Sequence, residues 1–198
     1  MRESGKVTGW ILNELNNIIK PGVSTMDINK FVEKTIQDAG MYPTFKGYQG
    51  FPAAACTSVN EQVVHGIPDK KCILNEGDIV SVDIGATNKG YVSDCARTYG
   101  VGNISDEMQR LIDSAKKGFF SGLEFCKPGQ RLSDISNAIQ TSVEADGYGV
   151  VRELVGHGVG SNMHEDPQIP NYGRAGRGPR IQAGMVFAIE PMITQGTY

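Results

Sequence analysis

The chain has 198 residues, 39% hydrophobic and 21% charged, with 19 Lys+Arg against 22 Asp+Glu for a net charge of −3. This length suits one domain with a sizeable core, and the charge balance excludes the polybasic surface that nucleic acid or an anionic membrane would need. No apolar run approaches a membrane span, and Met1-Arg2-Glu3-Ser4 leads into an amphipathic stretch rather than a signal core. Cys56, Cys72, Cys95 and Cys126 form no CxxC pair, so a cytoplasmic protein with reduced thiols is expected.

In chain order, a helix is predicted over about residues 1–20, followed by a turn at Pro21-Gly22. A second helix follows, with Ser24 or Thr25 as N-cap and Asp27 in its first turn. Ile28, Phe31, Val32, Ile36 and Ala39 lie on one of its faces, and Gly40 stops it. Strands come next, ending in a hairpin. The pattern then starts again. Lys20-Pro21-Gly22 recurs as Lys127-Pro128-Gly129, Asp27-Ile28 as Asp134-Ile135 and Gly40 as Gly147, each after 107 residues. The same offset aligns 74–80 with 181–187 across an intervening loop, so the chain reads as two copies of one unit. The second copy has helices over about 106–126, capped by Ser105-Asp106-Glu107, and through Ile135, Ala138, Ile139 and Val143. The halves divide at about residue 100 within a single domain spanning 1–198. The first helix opens at residue 1 without a cap, and the second copy reaches Tyr198 where a return strand should begin, so both ends read as clipped.

The chemistry gathers at the hairpin over 79–94 and its counterpart. A two-residue loop at Asn88-Lys89 would set Asp83 directly opposite Asp94, with Cβ atoms about 5 Å apart on one face. Two facing carboxylates in apolar surroundings need a proton or a cation between them. The repeat carries Asp83 onto Glu190, in Phe187-Ala188-Ile189-Glu190-Pro191, and predicts a further carboxylate past Tyr198. Between the two hairpins lies Gly156-His157-Gly158-Val159-Gly160-Ser161-Asn162-Met163-His164. A regular strand would put His157 and His164 on opposite faces, and bends at Gly158 and Gly160 would bring both inward. His65 stands beside Gly66. Hard carboxylates with one imidazole suit Mn²⁺, Fe²⁺, Co²⁺ or Zn²⁺, and two such ions can hold a nucleophilic hydroxide. Taken singly, each residue has a structural reading: Asp83 or Asp94 as a surface strand residue, the histidines as structural, Glu190-Pro191 as a strand end, and Phe45, Tyr48 and Phe51 as core. Their conjunction with the repeat favours the metal site.

These motifs resemble the type I methionine aminopeptidases over essentially the whole chain. The matching segments are Cys56-Thr57-Ser58-Val59-Asn60-Glu61 through His65-Gly66-Ile67-Pro68, the Asp83/Asp94 hairpin, Gly156-His157-Gly158-Val159-Gly160, His164-Glu165-Asp166-Pro167-Gln168 and Glu190-Pro191-Met192. The resemblance implies an α+β pita-bread (creatinase/aminopeptidase) fold: two pseudo-symmetric halves about a central antiparallel sheet, here without its C-terminal strands. It implies removal of N-terminal methionine by a hydroxide bridging two divalent ions (Co, Mn, Fe or Zn). Asp83 would chelate one ion, Asp94 would bridge, and His157 and Glu190 would serve the other. The family's fifth ligand, a Glu near the C-terminus, has no counterpart here. His65 would contact the scissile nitrogen, His164 the substrate carbonyl, and Glu190 would shuttle the proton. Phe45, Tyr48, Phe51, Cys56 and Met163 would shape the methionine pocket. The implied partners are peptides beginning with Met, and the ribosome during translation, with no nucleic-acid motif to mark it; a monomer is expected.

Two other functions compete. One is a proline-specific aminopeptidase or dipeptidase, which shares the ligand pattern; the segment from Phe45 to Cys56 argues against it. The other is a non-catalytic binding module or inactive fragment, and the clipped ends lead to the expectation that these 198 residues alone release little or no methionine.

Overall fold

The computed structural model describes residues 1–198. The chain divides into two compact units, Met1–Met108 with Gly160–Met163 and Gln109–Val159 with His164–Tyr198.

The first unit opens with α1 (Arg2–Ile18) and α2 (Thr25–Asp38), followed by β1 (Tyr42–Pro43), β2 (Ala55–Val59), β3 (Ile79–Asn88) and β4 (Tyr91–Gly100). Between α1 and α2 the chain turns at Gly22, whose φ of +90° favours glycine. Ser24 caps α2: its Oγ accepts from the Asp27 amide at 3.1 Å, and Asp27 accepts in return from the Ser24 amide at 3.3 Å. The helices bury Ile11, Leu12, Leu15, Ile28, Val32 and Ile36 against Val80, Val82, Ile84 and Ala86 of β3. Ala39, expected on the apolar face, is exposed beyond the last turn of α2, because the helix ends at Asp38.

All pairings of the four-stranded sheet are antiparallel, with β3 pairing β1, β2 and β4. The β3–β4 turn differs from expectation. Its two-residue loop is Lys89-Gly90, with Asn88 opposite Tyr91. Both loop residues have positive φ, 50° and 79°, as a type I′ turn requires, and glycine at the second position meets that demand where Asn88-Lys89 would not. Asp83 therefore faces Ala96, and Asp94 faces Gly85.

In the second unit α3 (Asp106–Leu123) begins after Ser105, whose Oγ accepts from the Met108 amide at 3.2 Å. There follow α4 (Leu132–Ala145), β5 (Gly149–Val150), β6 (Gly156–Gly158), β7 (Glu165–Ile169), β8 (Phe187–Ala188) and β9 (Ile193–Thr194). Strand β6 lies between β7 and β8, and β5 pairs β9. Ile135, Ile139 and Val143 form the core with Val150 and Ile169.

The repeat holds bond by bond. Gly22 N–H donates to Leu74 O at 2.8 Å, and Gly129 N–H to Ile181 O at 2.9 Å. A bridge joins Ser24 to Ile73, and its counterpart joins Arg131 to Arg180. Pro43 faces Ala86, and Val150 faces Ile193. Arg131 offers no acceptor, so α4 keeps half of the capping arrangement, Asp134 accepting from the Arg131 amide at 2.7 Å. One difference matters for the site. Strand β3 runs unbroken for 10 residues, whereas its counterpart is split into β8 and β9 around Glu190-Pro191. Pro191 has no N–H to give a ladder.

Candidate metal centre

In the first unit the carboxylates sit on the β3–β4 hairpin. Asp94 faces Gly85, and Asp83 is two residues from Gly85 on the same strand. The two carboxylates thus share one face as diagonal neighbours, with Cα atoms about 7–8 Å apart. A two-residue correction of register keeps both carboxylates on the same face. On the other side of β3, Cys56 faces Asp83. Its thiol is pushed far above the ordinary range, first by burial and then by Asp83 and Asp94. It stays a neutral wall, not a thiolate nucleophile.

Gly85 brings the aromatic residues to this face. A Cβ there would lie 2.7 Å from Cε1 of Phe45, so the buried Phe45 ring rests directly on the backbone between the carboxylates. Tyr48 and Phe51 follow on a short 3-10 turn, both partly buried. Met163, in the 160–163 segment of this unit, is also partly buried. His65 is exposed and adopts a φ of 59°, a conformation that costs a non-glycine residue energy and gathers at functional sites. Its loop is pinned to β2: Thr57 N–H donates to Gly66 O at 2.8 Å, and Gly66 N–H to Ser58 Oγ at 3.1 Å. A Cβ on Gly66 would lie 2.2 Å from Thr57 O, so only glycine fits after His65.

The second unit holds His157, His164 and Glu190. His157 is buried on β6, opposite Gln168 of β7 and Ala188 of β8. His164 is exposed, immediately before β7, and its ring centroid lies 4.2 Å from that of His157. The β6–β7 reversal brings the two rings together. The β6–β7 register shifts between His157 and Gly158, a local irregularity of the strand at the expected bend, and Gly158 also gives clearance, since a Cβ there would lie 2.4 Å from Asp166 O. His157 Nδ1 lies 2.8 Å from Gly158 O. A carbonyl only accepts, so Nδ1 carries a proton in this contact, and Nε2 is the ring nitrogen turned toward Glu190. That Nε2 is 3.1 Å from Glu190 Oε1. The contact lacks hydrogen-bond alignment, and Oε1 is buried without a hydrogen-bond partner. An imidazole nitrogen and a carboxylate oxygen side by side fit two ligands of a divalent cation. A cavity of about 310 Å³ opens here, lined by His157, His164, Glu165, Asp166 and Gln168 among others.

Sequence reasoning missed Gly85, Gln168 and Asn171. Asn171 is fully buried, and its Nδ2 donates to Glu190 O at 2.7 Å. The one sequence signal for it is Pro191, which forces a break in the strand beside Glu190.

Comparison with known proteins identifies the family. The profile of metallopeptidase family M24 matches residues 1–198. A methionine aminopeptidase of Clostridium acetobutylicum is 55% identical over 198 residues, covering 100% of this chain and 79% of that protein. The crystal structure of a methionine aminopeptidase from Thermotoga maritima superposes with a TM-score of 0.97 at 44% identity, covering 99% of this chain and 79% of that one. An X-Pro aminopeptidase of the same organism shares the fold alone, at 21% identity and a TM-score of 0.78 over 96% of this chain and 51% of its own. The fold is the pita-bread fold, and the chain belongs to metallopeptidase family M24, among its methionine aminopeptidases.

Proposed function

We propose that this protein removes the N-terminal methionine from nascent proteins and peptides, as one metallopeptidase domain over 1–198, with Asp83, Asp94, His157 and Glu190 holding two divalent ions drawn from Co, Mn, Fe or Zn. The observation that carries the reading is the ligand geometry in the second unit: His157 Nδ1 lies 2.8 Å from Gly158 O, and its Nε2 stands 3.1 Å from Glu190 Oε1. When bound, such ions supply Lewis acidity and an activated water. The chain's own side chains do the rest. His65 contacts the scissile nitrogen from a left-handed backbone position. His164 donates to the substrate carbonyl as negative charge develops on it. Glu190 accepts a proton and passes it to the leaving amine.

The methionine side chain is received by Phe45, Tyr48, Phe51, Cys56 and Met163. Phe45 and the neutral Cys56 thiol give that pocket an apolar floor, and sulfur–aromatic contacts of about 0.3–1.5 kcal/mol favour a thioether over a hydrocarbon. The reading further takes the protein as a cytoplasmic monomer that meets its substrates at the ribosome; no helix is long and apolar enough to cross a membrane.

Methionine release distinguishes this function from the proline-specific one. In contrast to the sequence-based expectation of little or no release, the purified protein with Mn²⁺ is expected to cleave Met-Ala-Ser, to leave Ala-Pro peptides intact, and to cleave Leu-Ala-Ser with kcat/KM lower by about 10–200-fold. Faster cleavage of Ala-Pro than of Met-Ala-Ser would reverse the assignment.

A further inference from the structure

We propose that Asn171 is a positioning residue that fixes Glu190 for metal binding, an inference that rests on Glu190 being a ligand. The two copies of the repeat set the problem. In the first, Asp83 lies inside an unbroken β3, paired with Cys56 on one side and Ala96 on the other. Its backbone is therefore held by two ladders. Its counterpart Glu190 lies between β8 and β9, which end at Ala188 and begin at Ile193. With Pro191 next in sequence, no strand holds this backbone. A ligand on an unsupported backbone loses the fixed placement that tight coordination needs.

Asn171 supplies the missing support. It follows β7 by two residues, and β7 is anchored by the fully buried Ile169 facing Gly156 of β6. Its side chain is itself fully buried and donates from Nδ2 to the Glu190 carbonyl at 2.7 Å. Glu190 is thereby tied, through the chain leaving β7, to the strand that carries His157, whose Nε2 stands 3.1 Å from Glu190 Oε1. The amide's other end makes the same point. Oδ1 is buried with no hydrogen-bond partner, an arrangement that opposes folding. Since a carbonyl cannot donate, the amide cannot flip without losing its bond to Glu190 O. It keeps an unfavourable acceptor in order to present a donor.

The test measures Mn²⁺ affinity of the intact protein by calorimetry, with the thermal midpoint of the metal-free protein alongside. Glu190→Gln comes first and weakens Mn²⁺ binding; unchanged affinity there would remove the ligand assignment, and this inference with it. Asn171→Leu, close in volume but without a donor, then weakens Mn²⁺ binding by about 10–100-fold. The same change made in the Glu190→Gln background adds little, because Asn171 acts through Glu190. If Asn171→Leu does not fold, Asn171→Ser, too short to reach the carbonyl, is read the same way. Weakened binding by Glu190→Gln with unchanged affinity in the folded Asn171 variant, or an equal loss in both backgrounds, would overturn the positioning role.

Discussion

Gly85 joins the aromatic wall to the carboxylate hairpin, because Phe45 occupies the space a side chain would take. Gly85→Ala places a methyl 2.7 Å from Phe45 Cε1 and must displace the ring. It is expected to raise KM for Met-Ala-Ser while metal affinity, measured calorimetrically, holds within about 3-fold; a normal KM would show that Phe45 does not shape the pocket. A second residue-scale prediction concerns acid. The Ser24 hydroxyl, then the Ser24 amide and Lys30, hold the Asp27 carboxyl below its ordinary 3.8. Lys117 and Ser114 do the same for Asp146. A depressed carboxylate stabilises the fold above its unfolded pKa and loses that contribution as pH falls through the folded value. The thermal-midpoint gap between wild type and Asp27→Asn should thus be present at neutral pH and close below about pH 4; a gap that widens with acid would contradict the sign.

Packing between α3 and α4 depends on glycine in a way the first unit does not repeat. A Cβ on Gly122 would lie 2.7 Å from Ile139 Cγ1, and one on Gly118 would lie 2.9 Å from Val143 Cγ2. Alanine for glycine within a helix ordinarily gains about 1 kcal/mol, but overpacking costs about 1–3 kcal/mol. Gly122→Ala is therefore expected to lower the urea midpoint. Gly9→Ala in α1, with nothing within 4 Å, is expected to raise it by about 0.4–1 kcal/mol in stability. Equal shifts would refute the packing argument. At this scale much was legible in the sequence. The four helices, the caps at Ser24 and Ser105, and the 107-residue offset all follow from local patterns that folding leaves intact. The hairpin register was not legible, since alternation places residues on faces but the turn decides which residues are opposite. Nor was the tether from Asn171 to Glu190, which joins residues 19 apart through tertiary contact.

For the whole molecule, the proposed assignment takes two metal ligands from each copy: Asp83 and Asp94 from the first, His157 and Glu190 from the second. Activity is then expected to depend on the ligands of each copy. The direct test is methionine release from Met-Ala-Ser by the purified protein with Mn²⁺, against a chelated control, in wild type, Asp94→Ala and His157→Ala. Wild type is expected to release methionine in a metal-dependent way, and each variant to fall to the chelated background. Wild-type release undiminished by chelation, or a normal rate in either variant, would contradict the assignment.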